Sequence, residues 1–157
     1  MPSIIIIGSG PAGISAALYA VRAGVDTTVL TKGPGALDRA EKIENYYGFA
    51  EPVSGAELER RSIENAKRLG VRFVTAEAVG LTYTDKLTVE TVDKNYTADA
   101  VILATGASRA VPRILGLAGL EGHGVSYCAA CDAFFYRGKD VAVLGSGEYA
   151  LHEVQAL

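Results

Sequence analysis

Two cysteines three residues apart carry the most evident chemistry in this sequence, because Cys128 and Cys131 are its only thiols and Asp132 follows directly. Two intervening residues bring both sulfurs within disulfide reach on the first turn of a helix. The positive end of the helix dipole favours a thiolate there. A thiolate attacks a disulfide and its neighbour resolves the mixed disulfide, while Asp132 could shuttle a proton. The pair therefore predicts disulfide-exchange chemistry.

Two other interpretations of the cysteine pair stay open, namely half of a zinc site and a pair of inert thiols. The sequence has no second CxxC, and neither His123 nor His152 has metal-ligand spacing to the pair. Two cysteines are also too few for a disulfide framework. We therefore expect redox chemistry and no metal.

A glycine-rich turn near the N-terminus is a second candidate site. It has the sequence Gly8-Ser9-Gly10-Pro11-Ala12-Gly13 and fits G-x-G-x-x-G. Gly8 permits a tight turn, Gly10 lets the backbone approach a pyrophosphate, and Gly13 lets helix and strand pack closely. The helix N-terminus then offers free N–H groups to phosphate. We predict dinucleotide binding, with a purely structural turn as the alternative.

A related turn lies near the other end of the chain. Gly145, Gly147 and Ala150 fit G-x-G-x-x-A, after an expected strand over Asp140 to Leu144 and before an expected helix. Two such turns in series suggest a flavin site and a nicotinamide site in one enzyme. Glu148 lies inside the second turn, where its negative charge is unfavourable for phosphate.

The elements around the first turn predict a βαβ unit. Ser3 to Ile7 and Val25 to Leu30 are expected as buried parallel strands. The helix between them begins at Pro11 and ends before Gly24. Ala100 to Ala104 is expected to be a further buried strand. This arrangement places the glycine turn between a strand and a helix, as dinucleotide binding requires.

The middle of the chain combines a long loop, a helix and a meander. Residues 31–52 show no clean period, which is typical of a functional loop. Ser54 and Glu57 form a capping-box pattern that starts a helix ending at Gly70. Polar turns then separate strands that predict an antiparallel meander. These strands are Val71 to Tyr83, Leu87 to Val92 and a third from Tyr96.

Composition argues against several classes of protein. The 157 residues are 49% hydrophobic with a net charge of −3, which is typical of a folded chain without a basic nucleic-acid-binding surface. The longest apolar run, Ala16 to Val21, is far too short to span a membrane. The N-terminus lacks the charged start of a signal peptide. We expect a cytoplasmic protein with no membrane or nucleic-acid partner.

Several segments together resemble the low-molecular-weight thioredoxin reductases. They are the first glycine turn, Glu44-Asn45-Tyr46, Ala104-Thr105-Gly106-Ala107, Cys128-Ala129-Ala130-Cys131-Asp132 and Gly145-Ser146-Gly147. The resemblance covers essentially the whole chain. It implies an α/β Rossmann-like FAD/NAD(P)-binding three-layer fold with an antiparallel β-meander, followed by the first βα unit of a second Rossmann-like domain.

The resemblance also implies a role for each segment. The first glycine turn would hold the FAD pyrophosphate, Cys131 would face the flavin, Cys128 would attack the substrate disulfide and Asp132 would be the acid/base. The remaining FAD contacts would come from Thr31, Gly35, Ala36, Leu37, Asn45, Ala78, Ala104, Thr105 and Gly106. Electrons would pass from NADPH through FAD and the cysteine pair to thioredoxin, in a homodimer.

The sequence departs from the family pattern at a few positions. Ala36 stands where the family has a glutamine, and Glu148 stands where it has an asparagine. Such changes are similar to those in family relatives that take electrons from ferredoxin or another donor. A donor of this kind is therefore the alternative to NADPH. Thr31 and Lys32 also occupy the place of the usual acidic residue that holds a ribose hydroxyl. The ribose contact would then come from Thr31 or the following loop.

Family proteins are roughly twice this length, which suggests how the chain is organised. We assign residues 1–112 to the N-terminal half of an FAD-binding domain. Residues 113–157 would be a linker, the CxxC segment and the start of a NAD(P)-binding domain. A lone βα unit cannot bury its faces, so we expect a truncated chain that binds FAD weakly or not at all. A genuine short end, and a non-catalytic dimerising module, are the alternatives.

Overall fold

Strand β1 lies inside a four-stranded parallel sheet in the computed structural model, which describes residues 1–107 and 111–157. The sheet order is β3-β2-β1-β7. Its strands are β1 (Ser3–Ile7), β2 (Asp26–Thr31), β3 (Arg72–Thr75) and β7 (Ala100–Leu103). Strands β2 and β3 extend from one side of β1 and β7 lies on the other, so the winding of the chain reverses between β1 and β7. The expected parallel βαβ unit is confirmed.

Two helices cover one face of this sheet, α1 (Pro11–Arg22) and α2 (Gly55–Arg68). On that face Ile6 and Val29 are buried in a cluster with Ile14 and Ala17 of α1 and with Ala66 of α2. Since side chains alternate across a strand, the neighbours of Ile6 and Val29 point to the opposite face. The helices therefore form one outer layer of the unit.

An antiparallel meander covers the opposite face. Its strands are β4 (Ala78–Tyr83), β5 (Leu87–Thr91) and β6 (Asn95–Ala98). Ile5 and Leu30 of the parallel sheet are buried there with Val89 and Ala98. Helices, parallel sheet and meander thus make three layers, and the predicted α/β three-layer fold with a meander is confirmed.

The prediction of one strand over Val71 to Tyr83 is wrong, because this segment serves two sheets. Strand β3 pairs in parallel with β2, whereas β4 pairs antiparallel with β5. The chain passes from one sheet to the other at Ala76 and Glu77. No glycine or proline marks the change, so the local sequence predicts one continuous strand.

The predicted limits of α2 are confirmed. The Ser54 hydroxyl accepts a hydrogen bond from the Glu57 N–H at 3.2 Å, and Gly70 follows the helix with φ +101°. The Glu57 carboxylate binds Arg60 and Arg61 of the same helix.

The long 31–52 segment contains a 3₁₀ turn over Ala36–Arg39 and an isolated bridge between Ile43 and Val53.

The chain divides into two compact units, Met1–Ser108 and Arg109–Leu157. The assignment of functional domains to 1–112 and 113–157 stays a prediction, and residues 108–110 of the expected linker lie outside the described ranges.

The second unit contains helices α3 (Ala129–Asp132) and α4 (Glu148–Ala156), with 3₁₀ turns over Leu117–Leu120 and Ala133–Tyr136. None of the helices in the described ranges is long and apolar enough to cross a membrane.

The strand predicted over Asp140 to Leu144 is not formed. A β-strand needs a neighbour for its backbone N–H and C=O groups. The described part of the second unit contains no strand that could serve as that neighbour. Helix α4 after the second glycine turn does form, since its backbone hydrogen bonds are internal.

Candidate functional site

The first glycine turn lies at the carboxyl edge of the parallel sheet, between β1 and β7. Ligands of open α/β sheets bind at this edge where the winding reverses. The Gly8 N–H donates to the Leu30 carbonyl at 2.8 Å, and the Ala104 N–H donates to the Ile7 carbonyl at 2.9 Å. The structure therefore brings the predicted glycine turn and the predicted Ala104-Thr105-Gly106 segment to the same place.

Each glycine of the turn meets a different environment. A Cβ at Gly8, whose φ is +114°, would overlap the Ala104 carbonyl oxygen, and a Cβ at Gly13 would overlap the Gly8 carbonyl oxygen. A Cβ at Gly10 would meet nothing within 4 Å. Backbone packing thus requires Gly8 and Gly13, whereas Gly10 faces open space beside the N-terminus of α1.

Thr31 at the end of β2 is hydrogen-bonded to the first glycine turn. The hydroxyls of Ser9 and Thr31 hydrogen-bond to each other at 2.7 Å, and Ser9 is only 5% exposed. The Gly33 N–H also reaches the Thr31 hydroxyl at 3.2 Å. Lys32 instead points to Glu77, with Nζ and Oε1 3.1 Å apart. Of the two residues that replace the usual ribose-binding acid, Thr31 is therefore the one held at the site.

A shallow cleft opens beside the turn between α1 and α2. Ser9, Gly10 and Pro11 line it together with Leu37, and Glu59 of α2 also borders it. Burial raises the pKa of the Glu59 carboxyl above its usual range, and the nearby charge of Asp38 adds to the effect. Glu59 is a site-bordering residue that sequence reasoning missed, because no motif marks it.

The other predicted cofactor residues lie in several different segments of the first unit. Gly35 precedes the 3₁₀ turn that contains Ala36 and Leu37. Ala78 begins β4 and packs against the Ile5–Leu30 cluster. Asn45 is exposed. Ala12 lies in the first turn of α1, Thr105 follows β7, and Gly106 has φ +72°. All of these roles stay predictions.

The two cysteines are joined by a disulfide at the start of α3. Cys128 is the N-cap residue and is partly buried, whereas Cys131 is exposed. The Asp132 carboxylate accepts a hydrogen bond from the Ser126 hydroxyl at 2.5 Å, and that hydroxyl accepts one from the Cys128 N–H at 3.1 Å. Ser126 therefore connects the predicted nucleophile to the predicted acid/base. A disulfide in this position can be reduced to two thiols by two electrons and two protons. The two thiols can pass the electrons on when the disulfide re-forms.

Helix α4 contacts the cysteine turn through two side chains. The Glu153 carboxylate accepts a hydrogen bond from the Ala129 N–H, and the Tyr149 hydroxyl lies 3.4 Å from the Tyr127 carbonyl oxygen. Sequence reasoning missed Glu153, since it lies 24 residues from its partner. The only sequence signal is its place on the helix that follows the second glycine turn.

The second glycine turn is arranged around Ala150. A Cβ at Gly145 would lie 2.6 Å from the Ala150 Cβ, whereas a Cβ at Gly147 would meet nothing within 4 Å. Gly147 is the N-cap of α4, and Glu148 is exposed in the first turn. The second turn thus has a glycine that faces open space, as the first turn does. It differs in having the Glu148 carboxylate at the helix N-terminus.

The three-layer unit with a glycine turn at the sheet's switch point is a Rossmann-like nucleotide-binding fold. A family profile described as pyridine nucleotide-disulphide oxidoreductase matches residues 2–157. The chain belongs to this family.

Individual relatives confirm the resemblance to thioredoxin reductases. The thioredoxin reductase of Aquifex aeolicus is 40% identical over 97% of this chain and 48% of its own length. The crystal structure of the Streptococcus pyogenes thioredoxin reductase superposes with a TM-score of 0.87 at 36% identity, over 98% of this chain and 51% of that one. The Giardia duodenalis enzyme gives a TM-score of 0.89 at 28% identity, over 99% and 52%. The chain spans about half the length of the relatives it matches.

Proposed function

We propose that this chain is part of a flavoprotein disulfide reductase of the thioredoxin-reductase type. Electrons would pass from NADPH through FAD to the Cys128–Cys131 pair and on to a thioredoxin-like disulfide. The observation that carries the proposal is the disulfide at the N-terminus of α3, followed directly by Asp132. Relatives that bear the name thioredoxin reductase match nearly all of this chain and support the same reaction.

The first glycine turn fits the pyrophosphate of FAD. Gly10 leaves open space beside the N-terminus of α1, where free N–H groups and the helix dipole favour phosphate. Thr31, fixed by Ser9, would supply the hydroxyl for the ribose. When bound, FAD supplies two-electron transfer between a nucleotide and a disulfide.

In the proposed reaction, the reduced Cys128 thiolate attacks the substrate disulfide, so that a mixed disulfide forms and one substrate sulfur leaves. Asp132 would give that sulfur a proton. The Cys131 thiolate then attacks Cys128, which re-forms the protein disulfide and releases the second substrate sulfur. The pair loses two electrons and the substrate gains them with two protons. Asp132 would give the first proton, would then take the proton of the Cys131 thiol before that sulfur attacks, and would pass it to the second substrate sulfur. Ser126 would keep the Asp132 carboxylate beside the nucleophile.

The proposed setting is a cytoplasmic homodimer that acts on thioredoxin or a similar small disulfide protein. A close cysteine pair that cycles between disulfide and dithiol suits a reducing compartment. The oligomeric state is tested by light scattering during size-exclusion chromatography of the full-length protein, where a clean monomer would contradict a homodimer.

A second candidate keeps the reaction and changes the electron donor to ferredoxin or another non-NADPH source. It is favoured by the exposed Glu148 in the first turn of α4, since a carboxylate there repels the phosphates of a nicotinamide nucleotide. Anaerobic mixing of the full-length protein with NADPH or with reduced ferredoxin distinguishes the two. The donor that bleaches the flavin absorbance is the one used.

Trapping of a mixed disulfide tests the reductase proposal. Full-length Cys131→Ser protein retains the proposed nucleophile and should form a covalent complex with a thioredoxin whose exposed cysteine carries a thionitrobenzoate leaving group. Full-length Cys128→Ser protein is the matched control and should react much more slowly. A Cys131→Ser protein that forms no complex, or that keeps wild-type turnover, would contradict the assigned roles.

A further inference from the structure

Glu59 is an acidic residue in the cleft beside the first glycine turn. It lies on α2 and is only 8% exposed, whereas glutamate is almost never buried unless it has a partner. Gly10 and Pro11, at the N-terminus of α1, line the same cleft. Glu59 and the helix end where the proposed pyrophosphate would bind therefore border one space.

The Glu59 carboxyl group has neither a hydrogen bond nor an ion pair within residues 1–107 and 111–157, the part of the chain that the structure describes. The two arginines that follow it on α2, Arg60 and Arg61, bind the Glu57 carboxylate. A negative charge on Glu59 would thus lie in a nearly closed environment without a described cation to balance it.

The elements packed around Glu59 add a second acid. Asp38, in the 3₁₀ turn, adds its negative charge to the effect of burial, and both raise the pKa of Glu59 above its usual range. The residues that α1 contributes to the cleft are uncharged, and the 31–52 segment contributes Leu37 and the phenol of Tyr46. Glu59 therefore keeps a proton to a higher pH than an exposed glutamate does.

Binding of a dinucleotide would bring further negative charge to this cleft. Each phosphate of a pyrophosphate carries a negative charge, and like charges repel more strongly where little water separates them. An ionised Glu59 would also compete with the phosphates for the positive end of the α1 dipole. A protonated Glu59 has no charge and opposes neither interaction.

We propose that Glu59 couples FAD binding to the uptake of a proton, so that FAD binds most tightly when the Glu59 carboxyl group is protonated. The inference rests on the proposed function, in which the first glycine turn holds FAD. Bound pyrophosphate would raise the pH at which Glu59 ionises. Between the ionisation of the free and of the FAD-bound protein, the carboxylate gains a proton as FAD binds, and FAD affinity falls as the pH rises.

Flavin fluorescence titrations of the full-length apoprotein at pH values from 5 to 8 test this coupling. The comparison is between wild type and Glu59→Gln, since glutamine has nearly the same shape and does not ionise. We expect the ratio of their FAD dissociation constants, wild type over variant, to rise at least about threefold across this range, the order of size for like charges in a partly buried site. Glu64→Gln removes an exposed carboxylate from the same helix and is the matched control, whose ratio should stay constant.

Calorimetric titration with FAD in buffers of different ionisation enthalpy counts the protons directly. Wild-type protein should take up a measurable fraction of a proton per FAD between pH 5 and pH 8, and Glu59→Gln should take up less. Because the wild-type measurement stands alone, it tests the coupling even if the variant does not fold.

Several results would overturn the proposal. They are a dissociation-constant ratio that rises less than about threefold, an equal rise for Glu64→Gln, no proton uptake by wild type, or equal uptake by wild type and Glu59→Gln. Full-length wild type that binds no FAD at any pH would contradict the proposed function together with this inference. FAD binding without the pH dependence would contradict the inference alone.

Discussion

The two glycine turns have similar sequences and different surroundings. The first follows β1, whose Ile5 and Ile6 are at most 3% exposed, within a sheet covered on both faces. The second follows a segment in which Val143 and Leu144 are 40% and 73% exposed and no strand forms. Both turns start a helix at an open glycine, Gly10 and Gly147. The helix and the turn therefore form from local sequence, whereas the strand depends on neighbours elsewhere in the chain.

This difference separates the residues of such a pattern that the fold requires from those that face open space. At the first turn, a Cβ at Gly8 would meet the Ala104 backbone just after β7, and a Cβ at Gly13 would meet the Gly8 backbone. At the second turn, a Cβ at Gly145 would meet the Cβ and, at a longer distance, the Cα of Ala150. Equivalent substitutions in the two turns should thus differ in their effect on stability.

The largest expected effect is that of Gly13→Ala. Its Cβ would overlap the Gly8 carbonyl oxygen, a backbone atom that cannot rotate away. We expect a loss of at least about 3 kcal/mol of unfolding free energy, the range for severe steric substitutions. Urea unfolding followed by circular dichroism measures it. Gly147→Ala, which meets open space, is the control and should change stability by less than about 1 kcal/mol. Equal midpoints for the two variants would contradict the contrast between the turns.

Gly10→Ala should separate binding from stability within the first turn. The backbone of Gly10 is extended, with φ −69°, and its Cβ would meet no protein atom within 4 Å, so the fold should tolerate alanine. The same Cβ would obstruct the approach of a pyrophosphate. We expect FAD affinity of the full-length protein to fall by about tenfold or more, equivalent to about 1.4 kcal/mol, measured by flavin fluorescence titration. Unchanged FAD affinity would contradict the assignment of the pyrophosphate to this turn.

Thr31→Val tests the contact that joins β2 to the first turn. The substitution leaves the nearly buried Ser9 hydroxyl without its 2.7 Å partner. A buried polar group that loses its hydrogen bond costs about 1–3 kcal/mol, so urea unfolding should show a loss in that range. The double variant Ser9→Ala with Thr31→Val should recover part of it. If the double variant loses the full sum of the two single effects, the hydroxyls are not coupled.

The smallest expected effect is a change of folding stability at low pH, which depends on a hydrogen-bonded carboxylate beside the start of β1. Asp99 accepts hydrogen bonds from the Ser3 N–H and hydroxyl, and these, with Lys86, lower its pKa from 3.8 to about 2. A lowered folded-state pKa gives stability that is present above pH 4 and lost as the pH falls toward 2. Asp99→Asn should therefore have a lower melting temperature than wild type at pH 7, with a difference that shrinks toward pH 2. A constant difference across this range would contradict the assignment.

Local patterns predicted much of the first unit and less of the second. Gly8, Ser54 and Gly70 mark element ends through backbone or capping requirements that act within a few residues. The division of Val71 to Tyr83 between two sheets was not predictable, because pairing with β2 or β5 is decided by distant strands.

At the candidate site, the cysteine pair and the glycine turns were evident from sequence. The contact of Glu153 with Ala129 was not, since it depends on how α4 lies against the cysteine turn within the second unit. The replacement of the ribose-binding acid by Thr31 was predicted in part, and its link to Ser9 required the structure. Side-chain contacts across long separations are what local patterns cannot specify.

We propose that a flavin and the Cys128–Cys131 disulfide are separate two-electron acceptors in one protein. Anaerobic titration of the full-length protein with dithionite counts them directly. Wild-type protein should take up four electrons per chain, and a variant with both cysteines changed to serine should take up two. Equal uptake by the two proteins, or a protein with no flavin to reduce, would contradict the claim.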